Sequence, residues 1–400
     1  MTAPPTVAPV PGDLRMARAL GPVLLASAVG LLPFTVFSTF LVPIAEEAGG
    51  GVAAMGSLRG LGGLAALAVG AAVAPVLDRL PKQHVAAVAL ALLGLSSALG
   101  ATGHFAAMVV FAVLIGAGTS VLFPAMAAMA ADRFGDGPAA GRAATLVTAT
   151  QSLTAMLAAP LVAAPALLWG WRGNLVAVAV IAFALAAVFL TRRGPVLAPR
   201  PRIGYLEALR ALGSVPGAGP LLAVALLRTA AFMGYLSYLA AYYDERFSLS
   251  PGVFALVWTL SGGSYFLGNL LAGRFANAGS ERWRPERVMV VGLVIALGAV
   301  VGFYAAPTLP VALGLTVLLG ASHATVAACV TTLLVRRCGP RRGSALGVNA
   351  AGMSLGVFVG SALGGIGLGV AGHPGTAVVL AGLTLAAVGF AVRVRSVTSV

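Results

Sequence analysis

Twelve apolar stretches of roughly 20–28 residues follow one another along this chain, each long enough to cross the hydrocarbon core of a bilayer as a helix. They run near 20–43, 52–76, 83–102, 105–130, 143–169, 172–191, 218–242, 252–274, 286–306, 309–335, 343–370 and 374–393. Inside a membrane every backbone N–H and C=O must be satisfied by the protein itself, which leaves helices or closed barrels. Unbroken apolar runs of this length select helices. Only 9% of the 400 residues are charged, against about 25% in a soluble domain. The predicted fold class is an all-α membrane protein with twelve transmembrane helices.

The placement of the charges decides between two readings of the net charge of +14. A nucleic-acid partner needs a basic face on a folded surface, whereas here the cations sit in the short segments between apolar runs. Of the 25 basic residues 24 are Arg and one, Lys82, is lysine. If the first span starts on the cytoplasmic side, 21 of the 25 fall on that side, as the positive-inside bias requires. Arg172 and Arg246 fall opposite, and Arg59 and Arg228 lie within spans. This predicts a multi-pass protein of the cell inner (plasma) membrane with both termini cytoplasmic, and no nucleic acid. Cys329 and Cys338 are nine positions apart on or beside one helix, too far for a bridge, and no metal site or cofactor is indicated.

The longest polar stretch, 192–217, divides the chain into a tail (1–19), a first six-helix bundle (20–191), a cytoplasmic linker (192–217), a second bundle (218–393) and a short tail (394–400). In the linker Tyr205, Leu206, Leu209 and Leu212 share one helical face, so a short amphipathic helix on the membrane surface is expected. The two halves repeat. Glu46-Glu47 after span one matches Asp244-Glu245 after span seven, Gly62-Gly63 matches Gly262-Gly263, and Arg142 matches Arg342, all at an offset of 198 or 200. A duplicated six-helix unit is the mark of transporters that rock two halves around a central site.

Several local motifs carry a resemblance. Ala74-Pro75-Val76-Leu77-Asp78-Arg79-Leu80-Pro81-Lys82, between spans two and three, is similar to the loop signature G-x-x-x-D-R-x-G-R-[RK] of the major facilitator superfamily, with Ala74 and Pro81 in place of its glycines. Gly268 to Phe275 is similar to the second copy of that loop, keeping Arg274. Gly170-Trp171-Arg172 resembles a G-W-R turn, and Arg342-Gly343-Ser344-Ala345-Leu346-Gly347 resembles the start of the eleventh helix. The chain therefore resembles this superfamily over its whole length, and within it the drug and sugar efflux (arabinose-efflux-permease-like) branch. The resemblance implies a monomeric transporter, not an enzyme, with Asp78, Arg79, Arg142, Arg274 and Arg342 at a cytoplasmic gate. Span five has Ala159-Pro160 where the drug:proton antiporters carry G-P, and spans one and four lack their embedded Asp and Arg.

The candidates for transport follow from polarity at depth. Arg228 sits mid-span in seven, where an ionised guanidinium costs roughly 3 kcal/mol, and no carboxylate lies mid-span anywhere in the chain. Two readings stand: a cavity cation that meets an anionic or acceptor-rich substrate, or a packing residue bonded to carbonyls or to Gln151, Asn269 or Asn349. Arg59 is expected to snorkel to the outer interface. His323, mid-span in ten, is either a proton-coupling group or a neutral imidazole between helices. Phe34, Phe37, Tyr235 and Tyr238 fall on parts of spans one and seven expected to face each other, where they shape a pocket or simply pack. The expected function is export of a small organic molecule (drug, sugar or metabolite) by alternating access, with a proton as the antiported ion. A facilitator or exchanger of organic anions using Arg228, and a sensor or scaffold that moves nothing, are the alternatives.

Overall fold

A computed structural model describes residues 13–77, 80–134, 138–192, 207, 210, 212–276, 284–338 and 342–396. Among these residues the chain is helical, with no strand. The first passage, α1, is four short helices in series, Asp13–Ala19, Gly21–Val29, Leu32–Thr39 and Leu41–Ala48. Two of its breaks have a simple cause. A proline lacks the N–H of the helical ladder and its ring crowds the carbonyl four residues back. Pro33 and Pro43 stand four residues after Val29 and Thr39, where two of the segments end.

The remaining passages are α2 (Gly51–Leu77), α3 (Lys82–Gly100), α4 (Phe105–Asp132), α5 and α6 (the two legs of Pro138–Thr191), α7 (Ala218–Phe247), α8 (Pro251–Ala276), α9 (Pro285–Tyr304), α10 (Leu309–Cys338), and α11 and α12 (the two legs of Arg342–Ser396). Gly170 divides α5 from α6 with φ 68°, and Gly372 divides α11 from α12 with φ 61°. Both turns need the left-handed backbone that glycine adopts without a Cβ penalty. Among the described residues the helices make twelve passages, so Asp13 and Ser396 lie at one end of the bundle, the terminal end; the other is the far end. Pro124, Pro160 and Pro165 remain inside α4 and α5. Of the linker, Tyr205, Leu206 and Leu209 lie outside the described residues, while Leu212 is buried against the second bundle.

Each half is knitted by close helix crossings. A Cβ on Gly116 of α4 would overlap the backbone of Gly62 on α2, and one on Gly320 of α10 would lie 2.9 Å from the Ser261 carbonyl oxygen of α8. The same pair of passages thus crosses at small residues in both bundles. Polar pairs repeat as well. At the far end Arg172 of α6 meets Glu47 of α1 at 2.6 Å, and in the second half His373, beginning α12, meets Glu245 of α7 at 3.0 Å. At the terminal end Lys82 pairs with Asp132 across α3 and α4, and Glu286 pairs with Arg337 at 3.0 Å across α9 and α10. The last pair keeps its position but exchanges its signs.

The two bundles touch along only part of their depth. On α2 and α11, Cβ atoms added at Gly365, Gly60 and Gly63 would stand 3.1 Å from the Ala53 oxygen, 3.0 Å from the Phe358 oxygen and 2.6 Å from the Ser354 oxygen. These contacts step from the far end to mid-depth. On α5 and α8, Ala163 packs with Ala255 and Trp258, and a Gly262 Cβ would lie 3.1 Å from the Met156 Cα. Toward the terminal end the pattern stops. Gly70 of α2 has only Ser120 of its own bundle nearby, and Gly347 and Gly352 of α11 have no atom within 4 Å of a built Cβ. Among the described residues the close glycine crossings between the bundles run from the far end to mid-depth, and none is found toward the terminal end.

Candidate functional site

The polar groups at depth gather where the seam ends. Arg228 is 2% exposed and turned into protein. Its level is fixed by α11, since a Cβ on Gly356 would stand 2.7 Å from the Leu226 oxygen and 3.0 Å from the Thr229 Cβ. From there Nη1 donates to the His323 carbonyl oxygen of α10 at 3.3 Å, and Nη2 to the Thr229 hydroxyl at 2.9 Å. No carboxylate pairs with it among the described residues. The arginine that stands between the bundles is Arg59 of α2.

Arg59 corrects an expectation. Its side chain does not run out to the interface. It is half-buried, and Nη1 donates to the Ser38 hydroxyl of α1 at 3.0 Å while Nη2 lies 3.8 Å from the Met233 sulfur of α7. Snorkelling requires a free path to water, and the chain instead packs α1 and α7 over this residue. Met233 follows Arg228 by five positions, about 7.5 Å along the axis, so both guanidinium groups lie near mid-depth. Hydropathy alone could not separate an outward from an inward path for Arg59. The available signal was its place in the repeat, where Thr259 occupies the equivalent position.

His323 is 2% exposed, its ring stacked on Phe232 with centroids 4.8 Å apart, and its buried Nδ1 has no hydrogen-bond partner. Gln151 of α5 and Asn349 of α11 each lie five residues toward the terminal end from a last seam contact, Met156 and Ser354 respectively. Asn349 donates weakly to the Met353 sulfur at 3.5 Å and leaves its buried Oδ1 unpaired.

The four aromatic candidates do not meet around one space. Phe34 and Phe37 pack on Phe111 inside the first bundle, with centroids 6.2 and 5.8 Å away. Tyr235 points into the second bundle, where its hydroxyl and that of Tyr243 share Thr316 at 2.8 and 2.9 Å. Tyr238 alone enters the seam. Its hydroxyl donates to the Ser361 oxygen at 2.7 Å and approaches the Ala53 oxygen at 3.4 Å, with its ring against Gly56 and Gly364. Repeat symmetry equates α1 with α7 in sequence, but the breaks at Pro33 and Pro43 turn the faces of α1 differently from those of the straight α7.

Among the gate residues, Asp78 and Arg79 lie outside the described residues, as do the side chains of Arg274 and Arg342, and Arg142 is exposed at the start of α5. Lys82, at the end of the same loop, pairs with Asp132. The far end carries a shallow cleft of about 440 Å³ between Val52 and Ala53 on one side and Asp244, Glu245 and His373 on the other. It lies beyond the seam and holds none of the residues at mid-depth.

The sequence model of the Major Facilitator Superfamily matches residues 23–278 and again 221–399. A chloramphenicol efflux pump of Mycobacterium tuberculosis is 26% identical over 295 residues, covering 72% of this chain and 70% of the pump. Among solved structures, a bacterial homolog of the human lysosomal transporter Spinster, inward-facing and unoccupied, superimposes with a TM-score of 0.74 at 17% identity over 97% of this chain and 96% of its own. A mutant of the nucleoside transporter NupG superimposes with a TM-score of 0.75 at 16% identity, over 93% and 99% of the two chains. At these identities the superpositions speak for the fold.

Proposed function

Because the chain belongs to the Major Facilitator Superfamily of membrane transporters, we propose that it exports a small organic molecule from the cytoplasm by alternating access, with the terminal end facing inward. One observation supports the reading: among the described residues the close crossings between the bundles run from the far end to mid-depth and stop there, with the unpaired Asn349 oxygen just beneath the last of them. That is the contact pattern expected of the half of a rocking cycle in which the cytoplasmic side is open. The excess of cations at the terminal end supports the orientation, and the similarity to a chloramphenicol efflux pump supports the direction.

The test is uptake of labelled chloramphenicol and a panel of drugs, sugars and organic anions into inverted membrane vesicles. Uptake above vector-only vesicles is expected for at least one compound. Uptake equal to vector-only vesicles across the panel, with the protein present in the membrane, refutes export.

Coupling to protons is a second reading, favoured by the unpartnered Nδ1 of His323 at mid-depth. His323→Gln should then abolish the dependence of flux on a pH gradient. An unchanged gradient dependence removes His323 from coupling.

A further inference from the structure

Arg59 holds a charge that its surroundings do not balance. A guanidinium is ionised at every accessible pH and offers five N–H donors in a planar fork. Here one donor goes to a hydroxyl and one to a thioether, which is a weak acceptor. Three donors remain for a ligand. The acids nearest in sequence to its partners lie at the far end: Glu46, eight residues beyond Ser38, and Asp244, eleven beyond Met233, about 12 and 16 Å along a helix. Arg228 adds a second positive charge at nearly the same depth, and no carboxylate pairs with either group among the described residues. Two cations in a low-dielectric interior repel each other and any cationic solute, and both are stabilised by an anion arriving between the bundles.

Arg59 lies on α2 one turn to the far-end side of Gly63, the last seam contact, and it reaches α1 of its own bundle and α7 of the other. Whatever binds there is felt by both halves. We infer that Arg59 anchors an anionic group of the carried molecule, a carboxylate, phosphate or sulfonate held through the free N–H groups of its fork. This rests on the transport reading above and narrows its substrate class. It also predicts that lipophilic cations, the usual cargo of a pump with embedded carboxylates, are not carried.

The test uses the full chain in nanodiscs and reads the thermal unfolding midpoint. The probes are sodium benzoate, salicylate, phenyl phosphate and benzenesulfonate, set against neutral benzamide, salicylamide and phenol and the cation benzyltrimethylammonium. At least one anion should raise the midpoint while its neutral and cationic counterparts do not. The rise should vanish in Arg59→Gln and weaken in Arg59→Lys, which keeps the charge and loses the fork. Ser38→Ala, which frees a donor without touching the charge, should enlarge it and guards against a misfolded Arg59 variant. Failure of every anion to stabilise the wild type, or an anion response that survives Arg59→Gln, overturns the inference. The transport reading is scored separately in vesicles: if wild type and Arg59→Gln both export a neutral compound, export stands and the anion anchor falls.

Discussion

Gly63→Ala is the sharpest test of the seam. The added methyl would lie 2.6 Å from the Ser354 carbonyl oxygen, 2.9 Å from the Phe358 nitrogen and 2.9 Å from the Val357 Cβ, all on α11 of the other bundle. Two of these are backbone atoms, which cannot rotate away as a side-chain tip can. Overpacking of this kind costs about 1–3 kcal/mol. Alanine also favours the helix itself by about 1 kcal/mol over glycine, but that gain is the same whichever way the bundles rock and cancels from the comparison. The steric cost falls only on the state in which the far end is sealed. The equilibrium between states should therefore move by about 5- to 160-fold away from the arrangement described here. Spin labels at Ala72 on exposed α2 and Gly352 on α11, both toward the terminal end, report this directly, in a background where buried Cys329 and Cys338 are alanine. Pulsed electron resonance should show the short-distance population growing at the expense of the long one. Gly347→Ala, where a Cβ meets nothing within 4 Å, is the control. An unchanged distance distribution in Gly63→Ala, or an equal change in Gly347→Ala, would refute the claim that this contact holds one state.

Three further outcomes follow from single contacts. Tyr238→Phe removes a 2.7 Å hydrogen bond to the Ser361 oxygen within the second bundle and only a 3.4 Å approach to Ala53 across the seam, so it should destabilise the second bundle by about 0.5–1.5 kcal/mol in a denaturation midpoint and leave the label distances nearly unchanged. Glu286→Ala strands Arg337, whose side chain is 13% exposed and whose Nη1 already lacks a partner, and should destabilise the second bundle by about 3–5 kcal/mol in a denaturation midpoint. Arg172→Ala removes a pair whose partners are 45% and 43% exposed, and should cost no more than about 1 kcal/mol, a difference that shrinks further in high salt.

The passages, the midpoint division and the repeat were legible in the sequence because a bilayer imposes one length scale and duplication leaves matched landmarks at a fixed offset. The far-end pairs illustrate it: Glu47 and Glu245 were visible as equivalents, and each meets the start of the sixth passage of its half. Their partners, Arg172 and His373, differ in chemistry, and so do Lys82–Asp132 and Glu286–Arg337, whose signs are exchanged. A pair that inverts its charges preserves attraction while erasing the residue match, so comparison of letters could not find it.

The sequence by itself also determined that a cation with no embedded acid, Arg228, stands mid-span, since charge and hydropathy are properties of single residues. Which cation faces the space between the bundles was decided only by tertiary structure. Rotation of a helix about its axis and the breaks in α1 set the direction of a side chain, and apolar faces in a membrane look alike whether they meet lipid or protein. For that reason Arg228 lies locked between α7 and α10, and Arg59 reaches across to Met233. Aromatic residues predicted to face one another are parted among two bundles and a seam for the same reason.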